Sequence, residues 1–390
     1  MSHETPVQPS NLAPLDPLAL RTLVETKAAE LGFALIGVTR AAPSTRAAEL
    51  RRWLADGKHG EMSWLAERVE EMVDVRTLVR GARSVVSVAD RYHDGKPDRV
   101  SADDAATRGR IARYARGKDY HDVIRDRLRK LGRAIREATP GCMTRLTGDI
   151  HPILEREQAA RALLGAIGKH TLLIRPSFGS FFLLGEIVTD AEIAPSDAPP
   201  TSADLEVDLC GSCTRCIDAC PTKAITPWSV DASKCTAYLT IEHRGEVPAE
   251  YFGRTGDWWF GCDICQEVCP HSQPTRASRR AGSNSAYAPR LDSVDLLEVL
   301  GWTEADRARL VVSSALKRAT LPMMKRNALL ALASLAMHDA TVRTAVSMRC
   351  HAIASDTTED DIVRAAARAF MKVPDTCQPV PGTARHAPGT

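Results

Sequence analysis

Eight of the eleven cysteines in this chain fall between Cys210 and Cys269. Cys210, Cys213, Cys216 and Cys220 are spaced C-x2-C-x2-C-x3-C and run straight into Pro221. Cys262, Cys265 and Cys269, ahead of Pro270, repeat the pattern with its first position lost, because Trp259 stands there. Two-residue gaps let three thiolates wrap three corners of an iron–sulfur cube, while a fourth beyond a longer gap reaches a neighbouring cube. Crossed in this way, Cys269 completes the set Cys210, Cys213 and Cys216, and Cys220 joins Cys262 and Cys265. One place on the second cube stays open. Cys235, between the two runs, is the closest candidate, since Cys142, Cys350 and Cys377 lie in other parts of the chain. The block therefore predicts two 4Fe-4S clusters. Paired zinc sites also use C-x2-C, but they do not require this full register with a proline after each run.

Such clusters pass single electrons at low potential, so the remaining sequence must hold something to be reduced. The two runs match the bacterial ferredoxin pattern, and residues 196–285 read as a ferredoxin-like module. Residues 15–195 alternate helical and extended patterns, the signature of an α/β domain. LALRTLVETKAAEL (18–31) is a helix ending at Gly32, and DYHDVIRDRLRKLGRAIREA (119–138) is a long basic one. FALIGV (33–38), SVVSVA (84–89), TLLI (171–174) and FFLLGEIV (181–188) read as strands. APSDAPPTSADLE (194–206) has the composition of an exposed linker. Residues 286–373 are helical, with LPMMKRNALLALASLAM and EDDIVRAAARAFMKV as two similar units, and residues 1–14 and 374–390 read as a flexible lead-in and a disordered tail.

Bulk properties mostly exclude. With 390 residues, 44% hydrophobic and 26% charged, the chain suits two or three globular domains. A net charge of +2 leaves polyanion binding to local clusters. The N-terminus has no apolar export segment, and no stretch reaches the roughly 18 apolar residues of a membrane span. A cytoplasmic, monomeric protein is expected, in which a disulfide framework has no place. No G-x-G-x-x-G follows a strand, and G-x-x-x-x-G-K-S/T is absent, so neither nucleotide fingerprint names a partner.

The segments RYARGKDYHDV (113–123), GDIHPILER (148–156), GAIGKHTLLI (165–174), GSFFLLGEI (179–187), CTAYLTIEHRG (235–245) and GCDICQEVCP (261–270) together resemble the epoxyqueuosine reductase family. The likeness runs in order over most of residues 18–335. It implies a nitroreductase-like α/β domain binding cobalamin, the ferredoxin-like module, and an all-α HEAT-like C-terminal domain. It further implies reduction of epoxyqueuosine to queuosine in the anticodon loop of tRNA, the last step of queuosine formation, with electrons from a low-potential donor. Asp149 matches the family's proton donor. A carboxyl acting as an acid near neutral pH needs its pKa raised, and Ile150, Pro152 and Ile153 suit an apolar pocket that would do so. The family usually has an Asp-Ser-Ala-Pro-Val-like segment where this chain has Asp149-Ile150-His151-Pro152-Ile153, and His151 is expected as a wall residue rather than a cobalt ligand. Likeness places the cobalamin edge at Arg113, Tyr114, Asp149, Ala237, Cys262 and Asp263, and tRNA contacts at Lys223, His243 and Arg244.

Local charge adds to the tRNA expectation. Between Arg108 and Arg136 stand eleven Lys or Arg against three Asp, and Arg276, Arg279, Arg280, Lys317, Arg318, Lys325 and Arg326 follow. Lys325 and Arg326 are taken as phosphate contacts, since clustered basic side chains release counterions from a polyanion. Three other readings compete: a corrinoid reductive dehalogenase, which resembles the same pairing of domains but generally carries a twin-arginine signal and lacks the helical tail; a plain iron–sulfur electron carrier; and a tRNA-binding module whose clusters are only structural.

Overall fold

The computed structural model describes residues 15–93, 96, 107–176, 178–196, 208–273 and 283–374. The lead-in, most of the expected linker, the tail from 375, Arg276, Arg279, Arg280 and Cys377 lie outside the described residues.

Helix α1 (Pro17–Glu30) begins where Asp16 accepts hydrogen bonds from the Leu18 and Ala19 amides, with Pro17 in the first turn. It buries Leu20, Val24 and Ala28, a four-residue spacing that lines one face. Gly32, at φ +78°, turns the chain out of the helix into β1 (Leu35–Arg40). Then come β2 (Ser84–Arg91), β3 (Arg108–Ile111), α2 (Tyr120–Ala138), β4 (Thr144–Thr147), α3 (Glu155–Arg161) and β5 (Phe182–Thr189). Four of these strands form a sheet in the order β1–β2–β5–β4, every pair antiparallel. Expected strand TLLI is reduced to Leu173–Ile174, paired with Ala166–Ile167.

Alternation along the strands decides what each face covers. Val86, Val88 and Ile187 pack under α1 and α2, against Leu20, Val24, Leu128 and Leu131. Ala89 and Leu184 face the other way, onto Ala159 and Ala160 of α3. Because β2 is buried along its whole length, helices close both sides of the sheet.

The third strand leaves this domain. β3 pairs in parallel with β6 (Trp258–Phe260), which follows α4 (Thr236–Ile241), and antiparallel with β7 (Ser293–Asp295). This small sheet shares one core with the helical tail, formed by α5 (Leu321–Leu335), α6 (Ala340–Ser355) and α7 (Asp361–Met371). Ile111, Trp259, Phe260 and Leu296 pack with Met324, Leu329 and Leu332. The two similar helical stretches are α5 and α7, with α6 between them in the chain and in contact with both. Residues from the amino-terminal half thus hold the cysteine block against the tail.

Candidate functional site

The thiols gather in two groups. Burial, with Cys210, Cys269 and Cys213 close by, pushes the Cys216 thiol up to about 11. Cys265 and Cys262 are pushed well up by burial, and Cys235 stands beside both, with Cys220 beside Cys265. Buried thiols resist ionisation, and iron bound to the sulfur offsets that resistance. Amide donors already face the sulfurs: Ala224 N–H donates to Cys220 Sγ at 3.3 Å and Lys169 N–H to Cys210 Sγ at 3.4 Å. The Lys169 ammonium, largely buried, donates to the carbonyls of Gly211 (2.6 Å) and Cys213 (3.1 Å), so a positive charge sits on the first cysteine loop. Trp259, in the position of the lost cysteine, is fully buried and donates from Nε1 to the Met324 carbonyl at 2.9 Å. That position serves the core shared with the tail.

From the cysteines a line of contacts leads to Asp149. The buried Asp263 carboxylate, next to Cys262, accepts from the Arg113 backbone amide at 2.7 Å. Tyr114 follows Arg113 and packs edge-on against Tyr120, with ring centroids 5.8 Å apart. The Tyr120 hydroxyl donates to Asp149 Oδ2. Gly261, at φ +71°, lets this turn form: a Cβ there would stand 2.5 Å from that of Ala112. Ala237, on α4, is half-buried beside Thr236, whose buried hydroxyl has no protein partner.

Asp149 itself is wired in a way the sequence reading missed. His121 Nε2 lies 3.0 Å from Asp149 Oδ1, and its Nδ1 lies 2.7 Å from Asp119 Oδ1. Asp119 is fully buried and bound at 2.5 Å by Lys317. Burial pulls the imidazole down, but the two carboxylates outweigh it and raise His121 to about 9. The Asp149 side chain is 42% exposed, so desolvation pushes its carboxyl up only in part, and the bond and charge of His121 and the Tyr120 hydroxyl hold it below the usual carboxylate range. The expected raised acid is therefore corrected: in this arrangement Asp149 is ionised and the proton sits on His121. Ile150, expected in an apolar pocket, is 66% exposed, whereas Ile153 is buried among Val75, Val85 and Val188. The available signal was DYH at 119–121, an aspartate and a histidine two residues apart at a helix start, inside a segment from which only Arg113 and Tyr114 were assigned.

The basic residues separate on inspection. Lys223 and Arg244 are exposed. His243 is tied to Glu61 at 3.1 Å and to the Glu246 carbonyl at 2.8 Å. Lys325 is paired with Glu359 at 2.6 Å and is only 12% exposed. Arg326 has no exposed surface, and its guanidinium donates to the carbonyls of Leu239 (2.7 Å), His243 (2.8 Å) and Gly245 (2.7 Å). The expectation of Lys325 and Arg326 as phosphate contacts is thus corrected. Five guanidinium donors match converging carbonyls well, and α5 turns both side chains inward, Arg326 onto the segment that carries His243 and Arg244 and Lys325 onto Glu359.

Comparison with known proteins bears on the whole arrangement. Residues 209–272 match the 4Fe-4S double cluster binding domain, and residues 73–149 match the family model described as epoxyqueuosine reductase QueG, DUF1730. The chain is 38% identical to the epoxyqueuosine reductase of Leadbetterella byssophila, with 78% of this chain and 95% of that one covered. It is 35% identical to that of Escherichia coli, with 86% of each covered. Among solved structures it superposes with a TM-score of 0.74 on epoxyqueuosine reductase from Bacillus subtilis, whose catalytic aspartate loop is swung out of the active site (27% identity; 90% and 88% covered). An equal score comes from an epoxyqueuosine reductase with an epoxyqueuosine-modified tRNA-Tyr stem loop (27% identity; 91% and 90% covered). With identities of this size over nearly the full length of its relatives, the chain belongs to the epoxyqueuosine reductase family.

Proposed function

We propose that this epoxyqueuosine reductase holds two 4Fe-4S clusters and cobalamin, and that Asp149, charged by His121, protonates the epoxide oxygen of epoxyqueuosine in tRNA. The observation that carries this reading is the line of contacts from Asp263 through Arg113, Tyr114 and Tyr120 to Asp149, which sets the acid beside the cysteine module. Cys210, Cys213, Cys216 and Cys269 would hold one cluster, and Cys220, Cys235, Cys262 and Cys265 the other; the nearness of Cys216 to Cys210, Cys213 and Cys269, and of Cys235 to Cys262 and Cys265, supports that division, with Cys216 also near Cys265 where the two sets meet.

The residues between the second group and Asp149 suit a corrin. Tyr114 offers a ring, Ala237 is a small side chain, and the unpartnered Thr236 hydroxyl is free to bond a corrin amide. Arg113, Cys262 and Asp263 border the same space. When bound, cobalamin supplies low-potential electrons to the ring carbon. The protein's own part is acid chemistry. Opening of the epoxide puts negative charge on oxygen, and a positioned proton donor contributes about 10²–10⁴-fold. Asp149 Oδ1 already faces the His121 N–H, so a proton can pass from imidazole to carboxyl and on to oxygen as the charge develops. Lys223 and Arg244, both exposed, are the side chains best placed for tRNA phosphates. The stem loop held by the related structure supports a tRNA substrate. Among the described residues no helix is long and apolar enough to cross a membrane; that the protein is a cytoplasmic monomer served by a separate electron donor is part of the proposal.

The test is mass spectrometry of tRNA nucleosides from cells lacking the protein, with and without the gene restored. Accumulated epoxyqueuosine that the intact gene removes is the expected result. Unchanged queuosine in the deletion strain overturns the reading.

A further inference from the structure

Removing an epoxide oxygen as water breaks two C–O bonds and consumes two electrons and two protons. His121 holds one proton against Asp149. A second polar feature, on the inner side of the same loop, is unused by the mechanism so far.

Glu186 lies in the middle of β5, with no exposed surface; neither oxygen of its carboxyl has a partner at full hydrogen-bond geometry, and the Thr147 hydroxyl leans toward it. It is paired across the sheet with Ser87 of β2 on one side and Thr147 of β4 on the other. Cross-strand partners point to the same face, and the flanking Ala89 and Leu184 show that this face is the one covered by α3. Ser87 Oγ is buried and unpartnered as well. From α3, the half-buried Glu155 and the buried Gln158, one turn apart, each present one buried oxygen without a partner. Glu155 also reaches the catalytic loop, since a Cβ on Gly148 would stand 3.9 Å from its Oε1.

The contrast within α3 is informative. Glu157 is buried too, but it accepts from Ser44 Oγ (2.5 Å), Thr45 N (2.9 Å) and Thr45 Oγ1 (3.2 Å), a fully satisfied carboxylate. An uncompensated buried carboxylate is too costly to persist, and the group keeps its proton instead. Orphaned polar atoms gathered in one seam are joined by ordered water. We infer that Glu186 and Glu155 form a buried, proton-bearing relay under α3 that recharges Asp149 with the second proton of the reaction. The neighbouring charges agree: burial raises both carboxyls, Glu155 and Asp149 raise Glu186 further against the opposing Thr147 hydroxyl, and Asp149 does the same for Glu155. Arg156 and His121 oppose the rise at Glu155. The Arg156 guanidinium, however, is spent on the Thr171 carbonyl at 2.7 Å, and His121 is shared between two aspartates. Within each turnover the first C–O cleavage takes the proton that His121 passes through Asp149, leaving the imidazole neutral. Glu155 then passes its proton to the Asp149 carboxylate, the second cleavage takes that one, and the seam reloads from solvent before the next substrate.

This inference rests on the reading of Asp149 as the acid, and the experiment separates the two. Infrared spectra of the anaerobically reconstituted full-length enzyme at neutral pH should show a protonated-carboxyl band that shifts in deuterated water. Asp149→Asn should keep that band, and Glu186→Gln, which preserves shape, should remove part of it. Glu155→Gln should lower kcat on modified tRNA about 10²-fold with KM unchanged and with a larger solvent deuterium effect, and Glu155→Asp should restore part of the rate. Absence of the band in the parent enzyme, or parental kcat and isotope effect in both glutamine variants, overturns the relay. Loss of turnover in the glutamine variants while Asp149→Asn turns over normally overturns Asp149 as the acid instead.

Discussion

The cysteine module and the Asp149 pocket are built on opposite plans. The cysteines of the module sit within 60 residues of one another at spacings that match the 4Fe-4S double cluster family, and the backbone after Cys220 donates to its sulfur. The pocket draws on the loop after β4, the start of α2, strand β5 beneath that loop and a lysine from the segment before the tail. Local spacing makes the first robust to what surrounds it. In the second, charge and protonation depend on four distant segments arriving together, so its properties are set by packing.

Breaking the module should have the largest effect. Cys235→Ala is expected to reduce iron from about eight to about four atoms per chain and to leave no measurable turnover, since one cluster is lost. Metal analysis and electron paramagnetic resonance would check this, and two intact clusters in the variant would separate Cys235 from the ligands. Asp149→Asn comes next. It should keep both clusters and tRNA binding while losing about 10²–10⁴-fold in rate, measured by conversion of the modified nucleoside. If the variant works normally, the pocket is scaffolding and the comparison collapses.

Arg326→Ala tests whether the tail supports the module from inside. Three backbone carbonyls would lose their donor in a buried place, so a destabilisation of about 3 kcal/mol or more is expected in thermal or denaturant unfolding. Affinity of the folded fraction for tRNA should be nearly unchanged. A stable variant with weakened, salt-sensitive tRNA binding would restore the phosphate-contact reading.

The smallest effect is a slope. His121 is raised in the folded chain to about 9 from an ordinary 6.5, so its charge contributes stability in full below 6.5 and loses it as pH rises through 9. Unfolding midpoints should fall across that window, and the fall should shrink in His121→Gln. An unchanged slope would mean that the imidazole is not held as a cation.

Much of the plan was legible in the residues. The cluster spacings, α1 with its Gly32 exit, the long helix α2 and strands near 84 and 182 are local patterns of period 3.6 or 2, and local patterns survive folding. Asp149 was legible only through resemblance, because a Gly-Asp turn has no chemistry of its own until something faces it. Charge was the least legible property. Lys325 and Arg326 read as a basic pair, but periodicity along α5 does not say that its polar residues point to the Glu359 side chain and to the carbonyls after α4.

By itself the sequence determined which atoms can bind iron, since thiolate identity and spacing act over a few residues. Tertiary structure alone decided the protonation of the pocket. Asp149 is held ionised by an imidazole wedged between two aspartates, while Glu155 and Glu186 are pressed toward the neutral form by the helix and sheet that bury them. A carboxyl's pKa follows from desolvation and from charges brought close by folding, neither of which is a property of the residue or of its neighbours along the chain.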